Sequence, residues 1–438
     1  KWYGSLNRGE QSQKVNIGNF MVRKGINTIV VYTSFPNGQP LDSDHGNDTA
    51  YYQEFACGLP LVGSYTVGGV YSDFIDEKEM MQAIRDCGIG GSVVFEFESG
   101  VYGDLSFSNY PLPLNSMDSI IITSSARHAD SVVFMSSDAA ALSIGNVVNF
   151  IFEKVTFDAT TNGYCAVKFM NPMNDIKFYE CNIFANPTAT TTDYAGIYYA
   201  GLSGNINDIS FVKNKITGGY YSIYFKNTGA NRFILDSNEL IDAAGAGVFC
   251  EDAAHFSSIS YNKIISKPNT TFDYYGIHLK SRGNVDTVVC NKIYITTTRT
   301  AYGFNMYYQL NYSLGVPVFV ANNELILQGT TCYGIHGNTT GSSGAVFAQA
   351  SYFNNSVYVT GSSVYGVYFN EYAGTNDNRI YKATLKYNNI YATSTSGGNA
   401  YAYYIIVRTS PGQGAYSSYN FYDFDYKIVK TPYYENVY

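Results

Sequence analysis

The sequence is poor in charge. Only 14% of its 438 residues are Asp, Glu, Lys or Arg, and the balance is 27 − 35 = −8. So little positive charge argues against a nucleic-acid groove or a patch for an anionic membrane surface. No apolar run approaches the roughly 18 residues that span a bilayer, so no membrane span is expected. The seven cysteines are scattered and include no CxxC pair, which argues against a zinc ribbon or a dithiol redox site. Cys165, Cys250 and Cys290 read as small buried hydrophobes. Cys57 and Cys87 lie near a domain junction and can pair.

Motifs are missing as well. HExxH is absent, and "GSSG" (341–344) lacks the Asp-Ser core of a chymotrypsin-like nucleophile loop. No Cys/His pair has the setting of a thiol protease. "DSDHGND" (42–48) lacks the spacing and distal Glu of an EF-hand and reads as a tight turn. No metal and no cofactor is expected. The chain opens on Lys1-Trp2-Tyr3, which reads as mid-strand and not as a leader, so a mature or trimmed chain is expected.

What the sequence has is tyrosine, 43 of them, with abundant Asn, Ser and Thr and 45% hydrophobic residues. That mixture favours strands and tight turns over helices. The length suits two domains or one long repetitive one.

A repeat decides between them. An Asn stands two residues before an aliphatic residue seven times: Asn214, Asn238, Asn262, Asn291, Asn323, Asn355 and Asn388 precede Ile216, Leu240, Ile264, Ile293, Leu325, Val357 and Ile390. The steps are 24, 24, 29, 32, 32 and 33 residues. Ile183 and Val155 extend the series backwards, with Cys181 and Glu153 in the Asn slot. A second phrase runs in phase: Gly196-Ile197, Ser222-Ile223, Gly247-Val248, Gly276-Ile277, Gly303-Phe304, Gly334-Ile335, Gly366-Val367 and Ala402-Tyr403. Each repeat thus holds at least two short strands. Self-similarity at this period, with one Asn per repeat able to stack amide on amide, predicts a parallel β-helix. Roughly a dozen rungs, counting Ser92–Phe97 and Ser119–Thr123, give a rod about 55 Å long.

Such a rod needs its open end capped. "SDFIDEKEMMQAIRDCG" (72–88) predicts a helix at about 73–87, N-capped by Ser72 or Asp73, stopped by Gly88, with Phe74, Met81 and Ile84 near one face. Residues 1–60 do not follow the repeat. They alternate apolar and polar between turn residues, as a small β-sandwich would. The expected division is 1–60 and 61–438.

The stretch "LVGSYTVGGVYSDFIDEKEMMQAIRDCGIGGSVVFEFESGVYGDLSF" (61–107) resembles a family of secreted surface proteins of gut bacteria. In that family a "GTYTIGG…DF…A…L…CGI.GPV.F.I..GTY" segment opens a right-handed, pectin lyase-like parallel β-helix. An Ig-like module ending in "PNG…D…NDT" often precedes it, matched here by Pro36-Asn37-Gly38, Asp42 and Asn47-Asp48-Thr49. The match covers residues 25–110, and the remainder only through the style of its repeats. It departs at Ser92 and Glu98-Ser99, where the family has Pro and a Pro-Gly turn. Some relatives carry the label immunoglobulin A protease, because those proteases share a long β-helix. The resemblance implies an all-β fold, a right-handed single-stranded parallel β-helix behind an Ig-like fragment, and a secreted or bacterial cell-surface location. It implies no catalytic residue.

Candidate site residues follow from strand alternation. Residues one and three places past the Gly slot point inward, as Ile277 and Leu279 do, so the residue two places past it points outward. That column reads Tyr198, Tyr224, Phe249, His278, Asn305, His336, Tyr368 and Tyr404. Aromatic surfaces suit the apolar faces of sugars, which makes the column a candidate glycan track; the plain alternative is stacking between rungs. Two residues further on, Lys226, Glu251 and Lys280 form an ion ladder. "CEDAAHF" and "IHLKSRG" bring Glu251, Asp252, His255, His278, Lys280 and Arg282 into one neighbourhood, the one acid/base cluster the repeats assemble. His278 and His336 stand two rungs apart, about 10 Å, too far to share a metal.

The expected function is a monomeric β-helix that binds glycans or host glycoproteins and leans away from being an enzyme. The alternatives are a carbohydrate-active enzyme (a polysaccharide lyase or glycoside hydrolase) using the 251–282 cluster, or a structural stalk of an immunoglobulin A protease-like protein.

Overall fold

A computed structural model describes residues 11–14, 16, 18–19, 21, 25–32, 49–56, 58–107, 118–136, 140–161, 164–170, 172–191, 194–201, 206–226, 232–251, 255–280, 284–307, 318–339, 347–373, 380–409 and 421–424. The chain winds into a parallel β-solenoid with three faces. One coil runs Val147–Glu153 on the first face, Thr156–Asp158 on the second and Val167–Phe169 on the third, then returns to the first with Met173–Tyr179. Among the described residues the first face holds 13 strands and the other two 11 each, with hydrogen-bonded neighbours coming from successive coils. Each repeat therefore contributes three strands, one more than the minimum its two recurring phrases require.

Register follows the phrases. Ile216, Leu240, Ile264, Ile293, Leu325, Val357 and Ile390 are successive partners on the second face and are buried. The earliest rung is offset by two residues from the expected series. Phe157, not Val155, stands opposite Ile183, so Val155 and not Glu153 occupies the Asn slot of that rung.

The Asn slot is the corner between the first and second faces. Asn262 shows the pattern: its Nδ2 donates to the Leu235 carbonyl (2.8 Å) and to Asn291 Oδ1 (3.0 Å), while its Oδ1 accepts from the N and Nδ2 of Asn238, both at 2.9 Å. The motif runs unbroken from Asn214 to Asn388, with every member buried. Cys181 takes the slot before Asn214, its thiol donating to the Phe152 carbonyl. The residue before each ladder Asn, from Lys213 to Tyr387, has φ near +55°. That left-handed residue turns the corner, and the buried amide satisfies the backbone groups the turn leaves open.

The interior holds ring stacks such as Phe152–Phe178–Phe211, with centroids 5.0 and 5.2 Å apart. Before the first full coils lies a helix, Glu77–Cys87. Its N-cap is Asp76, which accepts from Glu79 N, and not Ser72 or Asp73; Asp73 instead accepts from Thr66 N and Oγ1. Met80 and Ala83 are buried with Ile84, Phe74 is buried ahead of the helix, and Met81 packs at the margin. Gly88 (φ 71°) ends it. Cys87 is disulfide-bonded; Cys57, its expected partner, lies outside the described residues. Among the described residues of 1–60 the regular part is one antiparallel pair, Gly25–Tyr32 with Thr49–Ala56. The turn at 42–48 and the "GSSG" stretch lie wholly or mainly outside the described residues. No helix among the described residues is long and apolar enough to cross a membrane.

Candidate functional site

The outward column on the third face is in register from end to end. Tyr198, Tyr224, Phe249, His278, Asn305, His336, Tyr368 and Tyr404 are successive partners. It is not an open platform. Tyr224 is 7% exposed, His278 4%, Asn305 2% and His336 8%, whereas Tyr198, Phe249, Tyr368 and Tyr404 are half-buried. Most of the cover comes from a second column beside it: Tyr221, Ala246, Tyr275, Tyr302, Tyr333, Tyr365 and Tyr401. From Tyr275 to Tyr401 the rings stack at 4.7, 5.0, 5.0 and 5.6 Å, their planes within 18° of parallel. In the later coils the columns meet edge to face, as in Tyr333–Tyr368 and Tyr365–Tyr404, whereas Tyr221 stacks nearly parallel on Tyr224.

In the middle rungs a glycine stands between the two columns. A Cβ on Gly276 would lie 2.6 Å from the Gly303 carbonyl oxygen and 2.7 Å from Ile293 Cγ2. The bare backbone there bends the strand inward, so Tyr275 and His278, three residues apart, share one side. The signal for the second column was present in the sequence as a recurring Tyr-Gly at 275–276, 302–303, 333–334 and 365–366.

Stacking along the rod occupies the ring faces against one another, so the half-buried tyrosines of the second column offer edges and hydroxyls outward. Burial raises the Tyr333 hydroxyl to about 12 and also raises Tyr365, which keeps both protonated at neutral pH. Inside the first column, Asn305 bridges two histidines: its Nδ2 lies 2.8 Å from His278 Nδ1 and its Oδ1 2.6 Å from His336 Nδ1. Whichever way the amide is turned, one ring nitrogen accepts and the other donates, so the two neutral imidazoles take opposite tautomers. Burial lowers His336 to about 4.

The described members of the 251–282 cluster are divided between two faces. Lys226, Glu251 and Lys280 are in register, and Lys226 Nζ lies 3.4 Å from Glu251, one step of the expected ion ladder. His278 is held in the aromatic column. His255 lies on the first face, its Nε2 2.8 Å from Asp286 Oδ1. Asp252 and Arg282 lie outside the described residues. Among the described residues no group of three or more His, Cys, Asp or Glu could hold a metal.

A second candidate region lies on the first face, at residues that strand alternation does not single out. Asn149, Asp175, Asp208 and Arg232 occupy one position in successive coils, all with φ between 53° and 63°. Asn149, Asp175 and Asp208 each leave a gap in the ladder, Arg232 stands just ahead of its strand, and together they line a groove of roughly 700 Å³. Its charges are paired, Asp175 with Lys177 at 2.9 Å and Asp208 with Arg232. The sequence signal is the repeated Asn-Asp-Ile at 174–176 and 207–209, since Asn and Asp tolerate the left-handed region.

The parallel ladders define the class: a parallel β-helix. No protein-family model matches the sequence, and comparison with curated proteins gives no match. Among solved structures, a pectin methylesterase from carrot aligns over 82% of this chain and 91% of its own, at 12% identity and a TM-score of 0.29. At that TM-score the likeness carries no argument about residues or activity; the class rests on the register above.

Proposed function

We propose that this protein is a non-catalytic, glycan-binding β-helix, secreted or displayed on a bacterial cell surface, that presents its third face to glycans or host glycoproteins. The observation that carries the reading is the unbroken tyrosine ladder from Tyr275 to Tyr401, half-buried and in register over five coils. Ring edges carry the positive part of the aromatic quadrupole and suit oxygen-rich sugars; protonated hydroxyls both donate and accept. Repetition at one strand spacing offers many weak contacts to an extended chain.

The enzyme reading is the alternative. It draws less support, because the described acid/base candidates are held in an ion pair (Glu251), a hydrogen bond to Asp286 (His255) and a buried amide bridge (His278). A glycan array with the wild type and with Tyr302→Ala and Tyr365→Ala tests the proposal. Binding by the wild type that falls in both variants supports it. Absence of binding to any glycan leaves the stalk reading, and turnover of a polysaccharide establishes the enzyme reading.

A further inference from the structure

We infer a second carbohydrate site, the first-face groove, and assign it to neutral, hydroxyl-rich oligosaccharides; the inference rests on the carbohydrate-binding reading but not on the third face. Three observations converge. The first is shape: the left-handed residues Asn149, Asp175, Asp208 and Arg232 interrupt the flat face and leave a groove of roughly 700 Å³ across four coils. At about 4.8 Å per coil its floor is about 14 Å long, enough for a short oligosaccharide.

The second is charge. Asp175 is paired with Lys177 and Asp208 with Arg232, so the groove carries donors and acceptors in equal measure and no net charge to select an ion. A carboxylate fixed by a cation still has lone pairs for sugar hydroxyls, and the cation still has N–H groups to give. Ser210 stands between these pairs, opposite Lys177 on one neighbouring strand and Ile234 on the other. The third is the apolar patch. Ile234 is 40% exposed at the same wall, a surface for the C–H face of a sugar ring. Phosphates, uronic acids and basic peptides would each leave half of the paired charges opposed.

The test uses cello-, manno- and xylo-oligosaccharides as neutral probes and oligogalacturonates as the acidic one, titrated calorimetrically into the full chain. Ser210→Trp fills the groove, Asp208→Asn frees Arg232, and Tyr302→Ala alters only the third face. The expected result is binding of a neutral probe that hardly changes when salt is raised tenfold. Ser210→Trp should weaken it at least about tenfold, the loss of roughly 1.4 kcal/mol, and Asp208→Asn should weaken it less, both in the wild type and in a Tyr302→Ala background that removes the third-face contribution. Asp208→Asn, with its small volume change, keeps the test valid if Ser210→Trp fails to fold. Binding lost in Tyr302→Ala but kept in both groove variants overturns the groove and leaves the third-face reading standing. Preference for oligogalacturonate overturns the ligand class, and failure of every probe overturns the carbohydrate reading itself.

Discussion

Replacing Asn262 with alanine removes four hydrogen bonds at once. Two are those its Nδ2 gives to the Leu235 carbonyl and to Asn291, and two are those its Oδ1 takes from the N and Nδ2 of Asn238. The losses are unequal. Asn238 Nδ2 keeps the Phe211 carbonyl and Asn291 Oδ1 keeps Asn262 N, so each retains a partner. Asn238 N, whose acceptor was Oδ1, is stranded in a corner where Asn238 itself is 1% exposed. A stranded buried donor costs about 1–3 kcal/mol and each partly compensated bond adds a fraction of that, so the total expected is about 3 kcal/mol. The assay is urea unfolding of wild type, Asn262→Ala and the exposed control Lys263→Ala, compared by midpoint. A double-mutant cycle with Asn291→Ala should show coupling of about 0.5–3 kcal/mol, because the two amides bond directly. If Asn262→Ala changes stability by less than about 0.5 kcal/mol, like an ordinary surface substitution, the ladder is not a buried network and the reasoning fails.

Three further outcomes are expected. His336, lowered by burial to about 4, takes up its proton in the unfolded chain before the folded one, so its stability is full above about 6.5 and is lost as pH falls toward 4. The loss is on the order of 3 kcal/mol, and His336→Gln should flatten the melting temperature across that window; an unchanged slope refutes the burial argument. Gly276→Ala should destabilise by several kcal/mol, since its Cβ would meet the Gly303 carbonyl at 2.6 Å; thermal unfolding within a degree of wild type would contradict the bend. Tyr224→Ala, which removes a ring stacked on Tyr198, Tyr221 and Phe249, should cost about 3 kcal/mol, whereas a melting temperature near wild type would mean the ring is not packed.

Much of the fold was legible because one residue type does one job in every coil. A buried amide at the corner must be Asn to bond both neighbours, so Asn214 to Asn388 spell the register. The residue turning that corner was not legible: Lys213, Ser237, Tyr261 and Cys290 share a left-handed backbone and nothing chemical. The third-face column was readable from strand alternation, yet its burial was not, because cover comes from the neighbouring column and from the coils on either side. The acid/base neighbourhood was only partly legible, since Glu251 and His255 are four residues apart in the chain but lie on strands of different faces, the third and the first. The groove was missed because its left-handed residues break the alternation by which outward positions are counted.

Hydrogen exchange with and without a bound oligosaccharide reports every strand of the rod at once and so separates a binding face from an inert one. A glycan is expected to protect the strands of the third face around Tyr274–Lys280, Thr300–Tyr307 and Thr331–Thr339, with neutral oligosaccharides also protecting Met173–Tyr179 and Ile206–Val212. Exchange that no glycan alters on either face would contradict that expectation.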